Sequence, residues 1–334
     1  CLELRELSSS PRNALRDREG CSRSFRDHDP QCRAQLRVLG RWQQVVRCID
    51  LKVDKRATDA LDFLNLPCLY RRRFSCNAQS VPNRKLALVT GASSGIGRQY
   101  AIFLAKSGYD VVVVARRVEL LEALAIELKA FGAETKVVVA DLSTDDGIQA
   151  TIKEAQDVEL LVLNAGITRA ARVGQTDIQE MNQLNRLLAT GVVEICEAVI
   201  PKMIQRRSGD VVVVSSIAAF VEMPKSALYA AAKTYVMSYG RSVNAELRGS
   251  GVRLCVVCPG YVRTQLHQNA GLEHLTSRVP RWLWVTADEV VRSAQKGLSQ
   301  NKSVVVPGFV YRLARPFLNL SFAQRFWRRK TRRN

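Results

Sequence analysis

The sequence of 334 residues lacks an uninterrupted apolar run of the roughly 18 residues that a membrane-spanning helix needs. It contains three histidines, and six of its nine cysteines lie in the first 80 residues at irregular spacings that match no metal-ligand pattern. An odd number of unpaired thiols is typical of an intracellular reducing compartment, either cytoplasmic or at the periphery of a membrane. We therefore expect no metal site and no spanning helix.

Acidic residues are absent from the C-terminus, and the net charge of +19 is distributed unevenly. Residues 1–80 hold 16 Lys and Arg against 10 Asp and Glu, and residues 311–334 hold 8 against none. The residues between them carry only the small remainder, which is an ordinary balance for an enzyme. No recognised nucleic-acid-binding module accompanies the basic ends, so we expect no nucleic-acid partner.

The C-terminal stretch "YRLARPFLNLSFAQRFWRRKTRRN" mixes Phe, Leu and Trp with its cations. This composition suits an amphipathic segment that makes peripheral contact with an anionic membrane. A terminal helix packed on the body, with a solvated basic end, explains it equally well.

The hydrophobic pattern divides the chain into three regions. Residues 1–80 form an N-terminal extension of unknown role, residues 81–310 a single domain, and residues 311–334 a basic amphipathic tail. Within the domain, Val-rich runs alternate with helical stretches, which predicts an α/β fold with a doubly wound parallel sheet of about seven strands. The runs are KLALVT, DVVVVA, TKVVVA, ELLVLN, DVVVVSS, VRLCVVC and SVVVPG.

Ligands bind beyond the carboxyl ends of the strands in such sheets, so the residues after each run are the candidates for a site. The first run is followed by "TGASSGIGR", in which Gly91, Gly95 and Gly97 stand between a strand and a helix. A turn beside a diphosphate needs residues without Cβ, and a helix N-terminus supplies amide donors. The spacing differs from the common G-x-G-x-x-G fingerprint.

The second run is followed by Arg116 and Arg117. Sites for NAD place an acid near this point, but the only local acid, Asp110, opens the strand and stands at its other end. A cation here suits the 2′-phosphate of NADP. We expect Arg116 to contribute more, because Arg117 is explained equally well as a solvated charge at a helix start.

Polar residues also follow the later runs, and two of them form a pair. Asp141, "NAG" at 164–166, Ser216 and "PGYVRT" come after successive strands, and Tyr229 and Lys233 stand four apart in "YAAAK". On a helix that spacing puts both side chains on one face, and the alanines leave room for an approaching molecule. By itself the pair is more typical of a half-exposed helix surface than of a site.

Cys255 and Cys258 have the C-x-x-C spacing of redox and zinc sites. They lie in a run that reads as a buried strand, where an odd offset sends the two sulfurs to opposite faces. We expect them to be structural.

Taken together, "TGASSGIG", "NAG", the serine after the fifth strand and "YAAAK" resemble, in order and spacing, the classical short-chain dehydrogenase/reductase family over about residues 84–310. The resemblance implies a Rossmann fold, an NADP(H) cofactor and a homo-oligomer. It implies that Tyr229 is the general acid and base, that Lys233 favours its phenolate and bonds the nicotinamide ribose, and that Ser216 holds the substrate oxygen. The implied cofactor-binding residues are Gly91, Ser93, Ser94, Gly95, Ile96, Gly97, Arg116, Asp141, Leu142, Asn164, Ala165, Gly166, Tyr229, Lys233, Pro259, Gly260, Val262 and Thr264.

One position departs from the family pattern. The family has an asparagine in the helix after the fourth strand that helps a water relay protons from the lysine. Counting without gaps from either side leads to Leu188, whereas the local "MNQLN" favours Asn185. We expect Leu188 to occupy the position, which puts proton relay in doubt.

The substrate is predicted from residues 261–285, which we expect to cover the site. Their large apolar side chains could line a pocket or could equally pack this segment against the domain: Leu266, Leu272, Leu275, Trp282 and Trp284. His267 and His274 are expected at the surface. We expect a lipophilic ketone or aldehyde, and hence an NADP(H)-dependent oxidoreductase that interconverts a carbonyl and an alcohol. The alternative is a catalytically weak dinucleotide-binding scaffold or sensor on the same fold.

Overall fold

A computed structural model describes residues 84–264 and 279–317, which form a doubly wound α/β domain. The main sheet has seven parallel strands in the order β3-β2-β1-β4-β5-β6-β9, as predicted, and β7 and β8 form a separate pair. The strands are β1 (Lys85–Thr90), β2 (Tyr109–Ala115), β3 (Thr135–Val139), β4 (Leu160–Leu163), β5 (Gly209–Val214), β6 (Val252–Val257), β7 (Tyr261–Val262), β8 (Trp284–Val285) and β9 (Val304–Val305).

The helices cover both faces of the sheet. They are α1 (Gly95–Lys106), α2 (Val118–Lys129), α3 (Asp145–Glu154), α4 (Ile178–Asn185), α5 (Gly191–Gln205), α6 (Ala227–Glu246), α7 (Ala287–Ser299) and α8 (Phe309–Ala314). Helices α1, α2 and α7 pack on one face, and α3, α5 and α6 on the other. The central strands are buried on both sides, which is why their sequences are continuous apolar runs rather than alternating ones.

Side chains fix where several helices begin. Thr144, Asp177 and Thr286 cap α3, α4 and α7 by accepting hydrogen bonds from backbone N–H groups three residues later. Ser94 begins α1 without such a bond. The first amides of α1 therefore receive no cap from Ser94, and they lie at the point where the strand order of the sheet reverses between β1 and β4.

Tyr311 of α8 joins the last segment to the sheet edge. Its buried hydroxyl donates to the carbonyl oxygen of Leu283 at 2.7 Å and accepts from the N–H of Tyr261 at 3.1 Å. A Cβ at Gly260 would stand 2.1 Å from Cζ of Tyr311, so only glycine fits there. The segments after β6 and β9 are thereby held together.

Several sequence predictions fall outside the described residues. They concern the extension 1–80, most of the tail 311–334, the leucines 266, 272 and 275, and the histidines 267 and 274. Within the described part, no helix is both long and apolar enough to cross a membrane. Cys255 and Cys258 are free and buried, as predicted.

A chain shortened to begin at residue 81 should fold on its own. The first strand begins at Lys85, and Arg84 already ties the N-terminus down by donating to the carbonyl oxygens of Ala105 and Tyr109, each at 2.9 Å. We expect a cooperative unfolding transition and dinucleotide binding equal to that of the full chain, measured by circular dichroism and by fluorescence titration. An insoluble shortened chain beside a soluble full chain would contradict this boundary.

Candidate active site

A cavity of about 690 Å³ opens at the carboxyl ends of the central strands and brings the predicted site residues together. Every predicted catalytic and cofactor-binding residue lines it except Gly97. Gly97 instead lies behind the Gly-rich turn, where a Cβ would stand 2.3 Å from the carbonyl oxygen of Gly91. Its role is to let α1 approach β1 closely.

The Gly-rich turn has the backbone that its glycines predict. Gly91 and Gly95 have φ angles of +67° and +59°, a region that favours glycine. A Cβ at Gly91 would lie 2.8 Å from the Cα of Ala165, so the turn and the "NAG" stretch touch backbone to backbone. The first turn of α1 then presents its N–H groups to the cavity, as an anion site requires.

Thr90, which sequence reasoning missed, locks these two stretches together. Its hydroxyl accepts from the N–H groups of Asn164 and Ala165, at 2.9 and 3.1 Å, and the Asn164 amide donates to the Thr90 carbonyl oxygen at 3.0 Å. The only signal in the sequence was its position as the last residue of the first apolar run.

Two arginines stand at the end of β2, in different environments. Arg117 donates from Nη2 to the hydroxyl oxygens of Ser93 and Ser94, each at 2.9 Å. Arg116 is 62% exposed and pairs with Asp141 across 3.4 Å. Both line the cavity, but Arg117, to which the sequence analysis gives less weight, is the one fixed to the Gly-rich turn.

Asp141 is kept ionised by its neighbours. Burial raises the pKa of its carboxyl. Hydrogen bonds from the N–H and hydroxyl of Ser143 and the charge of Arg116 together lower the pKa by more than burial raises it, so the pKa lies below its usual range. A fixed carboxylate therefore stands beside Arg116 and partly neutralises it.

Tyr229 and Lys233 lie one turn apart on α6, and Ser216 follows β5 on the opposite wall. The Lys233 Nζ is 5.9 Å from the centre of the Tyr229 ring. It donates to the carbonyl oxygen of Val214 at 2.9 Å, and the Ser215 hydroxyl donates to the Lys233 carbonyl oxygen at 2.7 Å. The end of β5 thus holds the lysine in place from two sides.

Burial of Lys233 makes its charged form less favourable. Lys233 is 5% exposed, and burial lowers the pKa of its ammonium from 10.5 to about 8. A charged Cys258 nearby would raise the pKa of Lys233, but burial raises the pKa of the Cys258 thiol to about 12, so this thiol remains neutral. A cation near neutral pH is therefore retained in a nearly dry environment.

Leu188 and Lys233 both lie close to Gly166, whereas no such proximity is seen for Asn185. A Cβ built on Gly166 would stand 3.2 Å from Cδ2 of Leu188 and 3.8 Å from Nζ of Lys233. Leu188 is fully buried within a π-helical turn at 186–190, whereas Asn185 is exposed at the end of α4. That Leu188 occupies the asparagine position of the family pattern stays a prediction, and its burial near Gly166 agrees with it.

Several lining residues were missed by sequence reasoning, and most of them are apolar. Arg169 and Glu180 form an ion pair at this wall, and Tyr261 packs against Trp284 with ring centres 5.7 Å apart. Neither Trp282 nor Trp284 lines the cavity itself. The missed residues on this side are Ile167, Thr168, Arg169, Glu180, Leu187, Ala218, Met223 and Tyr261. Those at 167–169 could have been found, since they directly follow "NAG".

Comparison with known proteins agrees with this fold and site. The sequence model of the family described as short chain dehydrogenase matches residues 85–274. An uncharacterized oxidoreductase of Myxococcus xanthus is 33% identical over 239 residues, which cover 70% of this chain and 90% of that protein. A 3-oxoacyl-[acyl-carrier-protein] reductase of Synechocystis is 33% identical over 211 residues, which cover 62% of this chain and 85% of that protein.

A solved structure of similar fold contains a cofactor. The short-chain dehydrogenase from Sphingobium yanoikuyae in complex with NADPH superposes with a TM-score of 0.64 at 28% identity, covering 75% of this chain and 97% of that one. The family's sequence model matches more than half of the sequence, and this chain therefore belongs to the short-chain dehydrogenase family. It is an oxidoreductase of that family.

Because the Lys233 pKa is lowered, removing its charge should stabilise the cofactor-free protein. Below about pH 8 the ammonium is charged in both the folded and unfolded chains, so the full cost of burying it is present. Between about pH 8 and 10.5 the unfolded chain binds more protons, and stability rises with pH. Lys233→Met should therefore raise the free energy of unfolding at pH 7, by up to roughly 3 kcal/mol, and by less at pH 10.

Urea unfolding of wild type and variant at both pH values measures this difference. Lys202→Met, which removes an exposed ammonium from α5, is the matched control and should change little at either pH. If Lys233→Met raises the free energy of unfolding as much at pH 10 as at pH 7, burial of the charge is not the cause of the increase.

Proposed function

We propose that the protein is an NADP(H)-dependent oxidoreductase that interconverts a carbonyl and an alcohol, with Tyr229 as general acid and base. The observation that carries this proposal is the cavity shared by the Gly-rich turn, Ser216, Tyr229 and the buried ammonium of Lys233. A stabilising role alone does not account for an uncompensated cation kept nearly dry at the end of a strand.

The dinucleotide fits the residues present. The close backbone contact at Gly91, the amides that begin α1 and the absence of an acid at the end of β2 suit a diphosphate and a phosphorylated ribose. Arg117 and its two serines offer a cation and two hydroxyls to a 2′-phosphate, and Arg116 adds a second, more exposed cation. When bound, the nicotinamide supplies or accepts the hydride.

The side chains of the protein supply the proton. In reduction the Tyr229 hydroxyl donates to the substrate oxygen, and in oxidation the phenolate takes the proton back. A free phenol titrates near 10, and the ammonium of Lys233 one turn away favours the phenolate. The Ser216 hydroxyl, fixed at the end of β5, orients the substrate oxygen. The alanines between Tyr229 and Lys233 leave the helix surface open.

The substrate class follows from the outer wall of the cavity. Ile167, Leu187 and Met223 are apolar, and the two charged groups there, Arg169 and Glu180, pair with each other. Such a wall suits a lipophilic ketone or aldehyde, because no charged side chain of the lining is left to select an ionic substrate at this point. The 3-oxoacyl reductase among the relatives, by its name, also acts on a ketone attached to an acyl chain.

A second candidate function is a dinucleotide-binding sensor with little turnover, and Leu188 is the observation that favours it. Leu188 lies near Gly166, as Lys233 does, and its apolar side chain offers no group that could relay a proton. Consumption of NADPH with a panel of lipophilic ketones separates the two, since a sensor binds the dinucleotide without oxidising it. We further propose a homo-oligomer in a reducing compartment.

Cofactor choice should depend on the arginines after β2. Arg117→Ala removes two hydrogen bonds to the Gly-rich turn and, in the proposed complex, a charge-assisted contact of about 1.5–3 kcal/mol. We expect NADPH affinity to fall roughly ten- to a hundredfold, with NADH affinity little changed. Arg116→Ala should lower NADPH affinity by no more than Arg117→Ala does, because Arg116 already forms an ion pair with Asp141.

Dissociation constants from fluorescence titration with both dinucleotides test this. Arg241→Ala, at an exposed position of α6 away from the cavity, is the control. Equal losses for NADPH and NADH would assign the arginines to the fold or the adenine, and a wild-type preference for NADH would refute the assignment.

Turnover should depend on the Tyr229 hydroxyl. Tyr229→Phe keeps the ring but removes the proton, so we expect kcat to fall by about two to four orders of magnitude, with dinucleotide affinity nearly unchanged. Tyr235→Phe on the same helix, where the ring is 49% exposed and outside the cavity, should leave kcat unchanged. Activity of Tyr229→Phe within a few-fold of wild type would mean that another group is the acid.

A further inference from the structure

Four large apolar side chains lie exposed on the segments that follow β6 and β9. Trp282 is 64% exposed, Phe309 67%, Leu313 58% and Phe317 53%. Phe309 and Leu313 stand one turn apart on α8, and Phe317 ends the 3₁₀ turn that continues it. Trp282 lies in the turn Arg281–Leu283, to which α8 is hydrogen-bonded. We call these four side chains the apolar cluster.

The exposure of the cluster is not explained by poor packing of α8. Tyr311, on the other side of that short helix, is 1% exposed and packs against Gly260 and Gly308. The helix is therefore anchored by one buried residue while its large apolar side chains face outward. Exposed apolar groups on an anchored element are typical of interaction sites.

Three exposed arginines stand on the same segments as the cluster. Arg281, Arg312 and Arg315 are exposed, and Arg315 stands 5.5 Å from the ring centre of Phe220. The sequence contains no Asp or Glu from residue 301 to its last residue, 334, and residues 311–334 carry eight Lys and Arg. An apolar surface bordered by cations is complementary to an anionic membrane, whose headgroups attract the charges and whose acyl region accepts the apolar side chains.

We propose that the apolar cluster and its neighbouring arginines dock the protein onto an anionic membrane. Nucleic acid would contact the cations but leave four large apolar side chains without a role. A second copy related by two-fold symmetry would bring the exposed arginines of both copies together, which like-charge repulsion opposes.

The docking surface lies at the same edge of the sheet as the cavity. β6 and β9 are parallel neighbours, so the segments that follow them leave the sheet on the same side. Gly260 and Tyr261 line the cavity and also contact Tyr311. Membrane docking would therefore bring the cavity close to dissolved lipophilic molecules. Only this last step rests on the proposed function, since the docking itself requires no turnover.

Flotation of the full chain with lipid vesicles tests the proposal. Wild type should float with vesicles of phosphatidylcholine and phosphatidylserine and much less with phosphatidylcholine alone. Phe309→Ser combined with Leu313→Ser should lower the partition coefficient about tenfold or more. Arg312→Gln combined with Arg315→Gln should lower it by a similar factor at low salt, since each cation contributes about fivefold.

The control replaces two exposed apolar side chains elsewhere, Ile126→Ser and Ile178→Ser, and should float like wild type. Unchanged thermal unfolding of every variant, or use of Phe309→Ser alone, excludes misfolding as the cause of a loss. The proposal is overturned if the cluster variant floats like wild type, or if binding to duplex DNA exceeds that to vesicles. It is also overturned if wild type ignores vesicles and the cluster variant turns a dimer into a monomer in sedimentation.

Discussion

Burial of the parallel sheet on both faces is the constraint on which the rest of the structure depends. Helices cover both sides of the central strands, so those strands carry almost no polar side chains along their length. Polar chemistry is thereby confined to the residues beyond the carboxyl ends, where Ser216 and the Gly-rich turn stand. The one large exception, Lys233, reaches in from α6 and needs the Val214 carbonyl oxygen to hold its charge.

The sequence predicted the parts of the fold and site that follow from period and position. Continuous apolar runs indicated seven parallel strands, and glycines at 91 and 95 indicated the left-handed turn that the structure shows. The residues after each run, from Asp141 to Tyr229, line one cavity because parallel strands end at one edge. The count without gaps also led to Leu188, which the structure places beside Gly166.

Contacts between distant side chains could not be predicted from the sequence. Nothing local distinguishes Arg117 from Arg116, yet only Arg117 reaches the serines of the Gly-rich turn, because Arg116 pairs with Asp141. Tyr311 looked like part of a basic tail, but its hydroxyl is buried between Tyr261 and Leu283. The wall formed by Leu187, Met223 and Tyr261 comes from three separate segments that only the fold assembles.

The strand order has a consequence for how the protein folds. The first three strands contribute the Gly-rich turn and the arginines, and β4 to β6 contribute Ser216 and the residues around Gly260. The two halves meet where β1 pairs with β4, which joins Ala87 to Leu160 and closes a long loop of chain. Closing such a loop is entropically unfavourable before its contacts form, so non-local pairing slows folding. The cavity is therefore complete only when this pairing has joined the two halves of the sheet, and a chain in which β1 and β4 are unpaired has no complete dinucleotide site.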